Sequence, residues 1–193
     1  MHSLNNPLFR SIQIAAGRCA IYLSILVLVP YVYAATRPLL WPAVVIVAFG
    51  EFLQLWAAAN LNKNAFVAHT GPYVLMRNPM YAGRFFVILG CLLLVGHHLY
   101  VIPAFVALYV IYVQSRVLRE EDRLRADLGE PYIDYCRRVN RWLPVKRLPG
   151  GKAVAWSWQY VRQNRQLYVS AGLALMMVLV YVRQTMLLTG LDG

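Results

Sequence analysis

Four long apolar stretches dominate the chain, at residues 11–35, 41–60, 82–117 and 166–189. A helix needs about twenty apolar residues to cross the ~30 Å hydrocarbon layer of a membrane. The stretch 82–117 is long enough for two short crossings, and Gly96, His97, His98 and Pro103 interrupt it. It therefore predicts a helical hairpin with its turn near residues 97–101. Together the stretches predict an all-α, polytopic membrane helical bundle of about five transmembrane helices.

Basic residues are concentrated in one connection of the chain. The 19 Lys and Arg outnumber the 8 Asp and Glu, and twelve of the 19 lie between Arg116 and Arg165. Because basic loops stay in the cytoplasm, this segment and the 61–81 loop are predicted to share the cytoplasmic face. Topology and contact with anionic membrane lipids then account for most of the net charge of +11, and no nucleic-acid partner is predicted.

These features divide the chain into three parts. Residues 1–60 hold N-terminal transmembrane helices, and residues 149–193 hold an interfacial segment followed by the last transmembrane helix. Residues 61–148 contain the polar motifs and form the predicted functional core. Cys19, Cys91 and Cys136 lie far apart in sequence, so no metal site is predicted.

The first motif is the loop 71–83, with the sequence Gly-Pro-Tyr-Val-Leu-Met-Arg-Asn-Pro-Met-Tyr-Ala-Gly. Pro79 suits the first turn of a helix, so a helix N-terminus is predicted to open at the membrane surface. Such an end favours an anion, and Arg77 adds a bidentate donor. The alternative is an interfacial turn in which Arg77 contacts headgroups and Tyr73 and Tyr81 belong to an aromatic belt.

The second motif begins where the hairpin leaves the membrane, at Arg119-Glu120-Glu121-Asp122-Arg123. Neighbouring residues of a helix point about 100° apart, so Glu120 and Glu121 cannot share one proton, and one of them is predicted to face a pocket. The alternative is a solvated helical turn supported by a Glu121–Arg125 pair.

Further along, the spacing i, i+3, i+6, i+7 predicts one helical face formed by Tyr132, Tyr135, Arg138 and Val139. Glu51 lies within an apolar stretch, and an acid in that position is either functional or structural. A structural Glu51 would pair with Arg18 or accept a hydrogen bond within the bundle.

Both motifs together resemble the isoprenylcysteine carboxyl methyltransferases and the related phospholipid methyltransferases. The pattern is G-P-Y-x-x-x-R-N-P-x-Y-x-G, an apolar hairpin, then E-E-x-x-L-x-x-x-x-G-E-x-Y-x-x-Y-x-x-R-V and Leu143-Pro144. The resemblance covers about residues 45–145. It implies an integral-membrane methyltransferase that uses S-adenosyl-L-methionine and admits a lipophilic substrate between its helices. It also implies an active site facing the cytoplasm, in the inner membrane if the source is bacterial.

Carried over by residue, the resemblance implies two groups of site residues. Glu120, Tyr135 and Arg138 are predicted to serve the reacting end of the substrate. The predicted cofactor-binding residues are Gly71, Tyr73, Arg77, Asn78, Pro79, Tyr81, Gly83 and Glu121. Asn78 stands where the family usually has His, and an amide cannot titrate near neutral pH, so proton transfer at this position is not expected.

The sequence leaves four alternatives open, of which the first two are methyltransferases that differ in their substrate. The carboxylate of an isoprenylcysteine-like molecule is the first, because it is already ionised and needs positioning but no general base. A phospholipid amine is the second, and it would lose a proton to Glu120 or Glu121. An NADPH-dependent membrane reductase of the sterol type is a third alternative, and a membrane scaffold without enzymatic activity is a fourth.

Overall fold

The computed structural model describes residues 37–61, 70–95, 98–144, 146 and 148–189. Within these ranges the chain is all-α and has no β-strand, which agrees with the predicted fold class. One short 3-10 helix, Gly71–Val74, follows the first α-helix. The α-helices are α1 (Arg37–Ala58), α2 (Pro79–Val95), α3 (His98–Leu128), α4 (Glu130–Arg138), α5 (Trp158–Gln163) and α6 (Gln166–Thr189).

Helices α1 and α2 pack closely because glycines lie where they touch. A Cβ atom on Gly50 would come within 2.6 Å of the Gly83 carbonyl oxygen, and one on Gly90 within 2.6 Å of Val47 Cγ2. Small residues allow two helix backbones to approach in this way, which is the usual basis of helix association in membranes. The backbones of α1 and α2 are therefore in direct van der Waals contact at these glycines.

Two described helices are long and apolar enough to cross a membrane, over Trp41–Ala58 and Tyr100–Leu128. Only 11% of the second of these windows is buried against the rest of the protein, whereas the core helix of a water-soluble protein is mostly buried. Its exposed residues include Leu108, Val110 and Ile111. An apolar surface of this extent is typical of a helix that faces membrane lipid or a protein partner.

The predicted bundle of five crossings is confirmed only in part. The predicted crossing 11–35, with Arg18, lies outside the described residues. The predicted crossing 166–189 is a helix with those same bounds, but its apolar stretch, Gln166–Leu179, is shorter than a full span. Helix α2 also contains a short apolar stretch, Pro79–Leu93.

Residues 98–101 of the predicted hairpin turn are helical, and residues 96 and 97, between α2 and α3, lie outside the described residues. Helix α3 already begins at His98 and contains Pro103. Pro103 is the sixth residue of α3, so it removes one i→i−4 hydrogen bond, but the helix continues through it to Leu128. With 31 residues, α3 is about 46 Å long, which exceeds the ~30 Å hydrocarbon layer. Its charged last turns, with Glu120 and Glu121, therefore extend beyond the apolar layer.

The C-terminal end of α1 is covered by residues that come much later in the chain. Asn164 Nδ2 donates to the carbonyl oxygens of Ala58, at 3.0 Å, and Leu61, at 2.9 Å. The Ser157 N–H donates to the Ala59 carbonyl at 3.2 Å. The last carbonyl groups of a helix lack hydrogen-bond partners within the helix. These bonds supply partners for them, whereas burial of unpaired carbonyl groups would destabilise the protein.

Replacing Gly50 with Ala tests the close packing of α1 and α2. The new methyl group would meet the backbone of α2, and we expect a loss of about 1–3 kcal/mol in unfolding free energy. Unfolding of the purified protein in mixed micelles measures it. The matched control is Gly172→Ala in α6, where no atom lies within 4 Å of the new Cβ. That variant should be unchanged or more stable by about 0.5–1 kcal/mol. An equal loss in both variants would contradict the packing argument.

Candidate functional site

The loop 70–78 is joined to the chain that follows α4 by three backbone hydrogen bonds. The Gly71 N–H donates to the Lys152 carbonyl at 2.8 Å, and the Arg77 N–H donates to the Asn140 carbonyl at 2.9 Å. The Leu148 N–H returns a bond to the Val74 carbonyl at 3.0 Å. The two motifs, separated by a hairpin in sequence, are therefore neighbours in the structure.

Gly71 begins the 3-10 helix with a positive φ of 60°. A Cβ atom there would lie 2.3 Å from the side-chain amide of Asn60. That amide bonds the carbonyl oxygens of Trp56 and Ala155, each at 2.9 Å. Glycine is required here both for the left-handed backbone and for the space that Asn60 occupies. The predicted residue Gly71 therefore shapes the loop.

Glu121 is the centre of the polar cluster at the end of α3. Its side chain is only 2% exposed and three arginines surround its carboxylate. Arg141 donates from Nε to Oε1 at 3.0 Å and from its Nη2 to Oε2 at 2.7 Å, a bidentate pair. Arg77 lies 3.3 Å from Oε1, and Arg125 lies 3.5 Å from Oε2. Hydrogen bonding to Glu121 raises the pKa of Arg141 above its ordinary value.

We name this set the Glu121 cluster: Glu121, Arg77, Arg125 and Arg141. The Glu121–Arg125 pair of the solvated alternative is present, but the carboxylate itself is buried, which that alternative did not predict. Arg77 Nε is buried and has no hydrogen-bond partner among the described residues. A buried guanidinium N–H without a partner costs stability, which an ordered water or a ligand atom that accepts from it would offset.

Glu120 points away from the Glu121 cluster, as the 100° rotation between neighbours predicts. Its side chain is exposed, and its Oε2 accepts a hydrogen bond from the Tyr81 hydroxyl at 3.1 Å. The backbone carbonyl of Tyr81 accepts a bond from the Tyr109 hydroxyl at 2.7 Å. One glutamate is therefore enclosed by cations, whereas the other lies open beside Tyr81.

Tyr73 and Tyr135 connect the loop to α4. The Tyr135 hydroxyl donates to the Tyr73 carbonyl oxygen at 2.7 Å, and both side chains are buried. Burial raises the pKa of both hydroxyls, so each stays protonated at neutral pH. Tyr135 packs with Tyr132 and Val139 in one apolar cluster. Tyr135 therefore holds the loop in place through a permanent donor.

The predicted common face of Tyr132, Tyr135, Arg138 and Val139 is wrong for Arg138. Position i+6 is rotated by about 600°, or 240°, from Tyr132, which places it on the other side of the helix. Arg138 is half exposed and forms an ion pair with Asp134 at 2.9 Å. Arg141, beyond the end of α4, contacts Glu121.

The remaining predicted residues lie at the start of α2. Asn78 Nδ2 is 3.5 Å from the Arg141 carbonyl oxygen, at the long end of hydrogen bonding. Pro79 is buried and is the first residue of α2. Gly83 faces α1, where a Cβ atom would lie 2.7 Å from Gln54 Cγ. Gly83 therefore allows α1 and α2 to pack closely.

One residue of the site, Arg141, was not found from the sequence. Arg141 carries no periodic signal, because it follows α4 in an irregular segment, and only the three-dimensional return of the chain brings it to Glu121. Glu51 accepts hydrogen bonds from Gln166 Nε2, at 3.2 Å, and from the Ser170 hydroxyl. Of the two structural alternatives for Glu51, the hydrogen bond within the bundle is therefore the one observed. Its other oxygen, Oε2, has no partner among the described residues.

Comparison with known proteins gives one match. The family model described as phospholipid methyltransferase matches residues 40–129. This range begins within α1 and extends just past the end of α3, so it includes the loop 70–78 and both glutamates. A search of curated proteins and a search of solved structures found no match. The resemblance predicted from the two motifs is confirmed at the level of this family of membrane methyltransferases.

Replacing Glu121 with Ala tests the importance of the Glu121 cluster. The variant leaves three arginines without their shared carboxylate, and we expect a loss of about 3–5 kcal/mol in unfolding free energy. The matched control is Asp127→Ala on the same helix, which removes an exposed pair with Arg123 at 3.4 Å. That variant should change stability by no more than about 0.5 kcal/mol. Chemical unfolding in micelles gives both values, and similar losses would contradict a central role for Glu121.

Proposed function

We propose that this protein is a membrane enzyme that transfers a methyl group from S-adenosyl-L-methionine to a lipophilic substrate. The proposal starts from the match of residues 40–129 to the phospholipid methyltransferase family model. The observation that carries the proposal is the Glu121 cluster. It joins the Arg-Asn-Pro loop, the end of α3 and the segment after α4 at the point where an apolar helix becomes polar. A cofactor and a lipid can meet only at such a boundary, since one requires polar contacts and the other an apolar surface.

The donor set of the Glu121 cluster fits the carboxylate of the methionyl part of the cofactor. Three guanidinium groups face the Glu121 carboxylate, and Arg125 is also paired with Asp122 at 2.7 Å, so one positive charge remains in excess. The unpartnered Arg77 Nε supplies a donor within this excess. Bound S-adenosyl-L-methionine supplies an electrophilic methyl group on a positively charged sulfur. In this proposal Arg77 binds its carboxylate, while Glu121 fixes the orientation of Arg77.

The other predicted residues have supporting roles in the proposed site. Tyr135 keeps the loop 70–78 closed over the cluster through the Tyr73 carbonyl. Asn78 and Pro79 start α2 next to Arg77, so the free N–H groups of that helix face the same region. Gly71 and Gly83 permit the loop and the helix to approach α1. Arg138 stays a predicted substrate contact, on the exposed side of α4.

The identity of the methyl acceptor determines which glutamate has a chemical role. A carboxylate acceptor, as in an isoprenylcysteine-like molecule, needs only orientation and exclusion of water. An amine acceptor, as in a phospholipid, must lose a proton first. Both oxygens of Glu121 are already bound by arginines, whereas Glu120 is exposed and bound by Tyr81. Glu120 is therefore the base that we propose for an amine substrate.

The proposed orientation places this site at the cytoplasmic face. Support comes from the twelve basic residues between Arg116 and Arg165, because Lys and Arg in short connections stay on the cytoplasmic side. Trp156 and Trp158 are exposed in the same region and contact each other edge to face. Exposed tryptophans of this kind are typical of the headgroup layer.

Ligand-dependent stability separates the methyltransferase from the NADPH-dependent reductase. We expect S-adenosylhomocysteine, the product form of the cofactor, to raise the Tm of the purified protein in a concentration-dependent manner. At a hundredfold excess over its Kd, the ligand would contribute about 2.7 kcal/mol. NADPH at the same concentrations should leave Tm unchanged. The opposite pattern would overturn the proposed function.

Arg77→Lys tests the predicted cofactor contact without removing the charge beside Glu121. The substitution removes the buried Nε donor, so we expect the affinity for S-adenosylhomocysteine to fall about tenfold or more, as for loss of a charged hydrogen bond. Arg123→Lys, at an exposed position of α3, is the matched control and should bind as the wild type does. Calorimetric titration measures the affinities. Equal affinities in the two variants would exclude Arg77 from the cofactor site.

A further inference from the structure

Helices α2 and α3 pack through aromatic side chains along their apolar length. The Phe85 ring lies 5.6 Å from that of Phe105 and 5.4 Å from that of Tyr109. Tyr109 also bonds the Tyr81 carbonyl. Contacts of residues 81 and 85 with 109 and 105 show that the two helices run antiparallel. The polar N-terminal end of α2 and the polar C-terminal end of α3 therefore lie side by side. We call the surface between these two ends the α2–α3 opening.

Four polar side chains converge on that opening. The Tyr81 hydroxyl donates to Glu120 Oε2 at 3.1 Å. The guanidinium carbon of Arg84 lies 5.6 Å from the centre of the Tyr81 ring, within the range of a cation–π contact. Arg116 lies four residues before Glu120 in α3, so the two side chains share one helix face and Arg116 lies on the side of α3 where Glu120 meets the Tyr81 hydroxyl. Two arginines from two different helices thus approach one tyrosine.

Neither arginine has an anionic partner within the part of the chain that the structure describes. All the ion pairs there involve other arginines, namely Arg77, Arg123, Arg125, Arg138 and Arg141. Together Arg84, Arg116 and Glu120 carry a net charge of +1. One additional negative charge at the opening would balance them.

The two arginines lie on the apolar side of the Tyr81–Glu120 pair. Arg84 is three residues after Tyr81 in α2, and Arg116 is four residues before Glu120 in the antiparallel α3. At 1.5 Å per residue, Arg84 is displaced by about 4.5 Å and Arg116 by about 6 Å towards the apolar length of its helix. Tyr112, one turn further along α3, is exposed, so the arginines border the lipid-facing surface. An anionic group on a lipid chain would meet them before it reached Glu120.

We propose that Arg84 and Arg116 form an anion clamp that holds the phosphate or carboxylate of the lipophilic substrate at the α2–α3 opening. Guanidinium groups match either anion through paired N–H donors. In a phospholipid the clamped phosphate is separate from the reacting amine, whereas in a prenylated cysteine the clamped carboxylate is itself the methyl acceptor. This inference rests on the proposed function, and it adds two substrate-binding residues to it.

Methyl-transfer kinetics with three acceptors test the clamp. The acceptors are an amine phospholipid, an S-prenylated cysteine and a long-chain alkylamine without an anionic group. In the Arg84→Gln/Arg116→Gln double variant, we expect KM to rise about tenfold or more for whichever anionic acceptor the wild type uses, with kcat within about twofold. KM for the alkylamine should not change. The anionic acceptor that responds identifies whether the bound group is a phosphate or a carboxylate.

Arg123→Gln provides the matched control, because it removes one exposed arginine from α3 outside the opening. It should leave KM for all acceptors unchanged. An unchanged KM in the double variant would overturn the clamp, as would an equal rise for the alkylamine. The latter would indicate general contact with headgroups or damage to the fold, and Tm distinguishes these two causes.

A binding measurement without the cofactor separates failure of the clamp from failure of the proposed function. Fluorescent derivatives of the amine phospholipid and of the S-prenylated cysteine are titrated onto the protein in nanodiscs made of an uncharged lipid. Weaker binding to the double variant supports the clamp even where the wild type transfers no methyl group. Unchanged binding overturns it even where methyl transfer is observed.

Discussion

The buried carboxylate of Glu121 is the interaction on which the arrangement of the polar end depends. It is the largest fully buried side chain of the described residues, and burial of a lone carboxylate would cost several kcal/mol. Arg141 and Arg77 offset that cost only if the loop 70–78 and the segment after α4 both return to the end of α3. Because a missing partner leaves an uncompensated charge, these three segments form one cooperative unit.

The family match ends before this unit is complete. Residues 40–129 contain Glu121 and Arg77, but Arg141, which makes the shortest contact with the carboxylate, comes later. The same is true of Asn164 and Ser157, which bond the carbonyls at the end of α1. The buried carboxylate of Glu121 and the unpaired carbonyl groups at the end of α1 both lie inside the matched range and require hydrogen-bond partners. The C-terminal part of the chain supplies these partners, so it belongs to the same structural unit as the matched range.

The sequence predicts those features whose cause is local. Helix α6 has the predicted bounds of 166–189, and the separation of Glu120 from Glu121 follows from helical rotation alone. Arg138 was misplaced on the apolar face because i+6 was grouped with i+7, although they differ by about 100°. Arg141 could not be predicted, since no spacing links an irregular segment to a helix twenty residues earlier. Contacts that depend on chain return, such as that of Glu51 with α6, have no periodic signal.

The two neighbouring glutamates show how one helix supports both structure and chemistry. Rotation by about 100° takes Glu121 into a cationic enclosure, where its oxygens are saturated, and leaves Glu120 at the opening with a single donor from Tyr81. A carboxylate that holds three arginines cannot exchange its partners during turnover without exposing buried charge. An exposed carboxylate with one neutral donor can do so at little cost. In the proposed reaction, the interactions that change would therefore be those of Glu120, and those of Glu121 would stay constant.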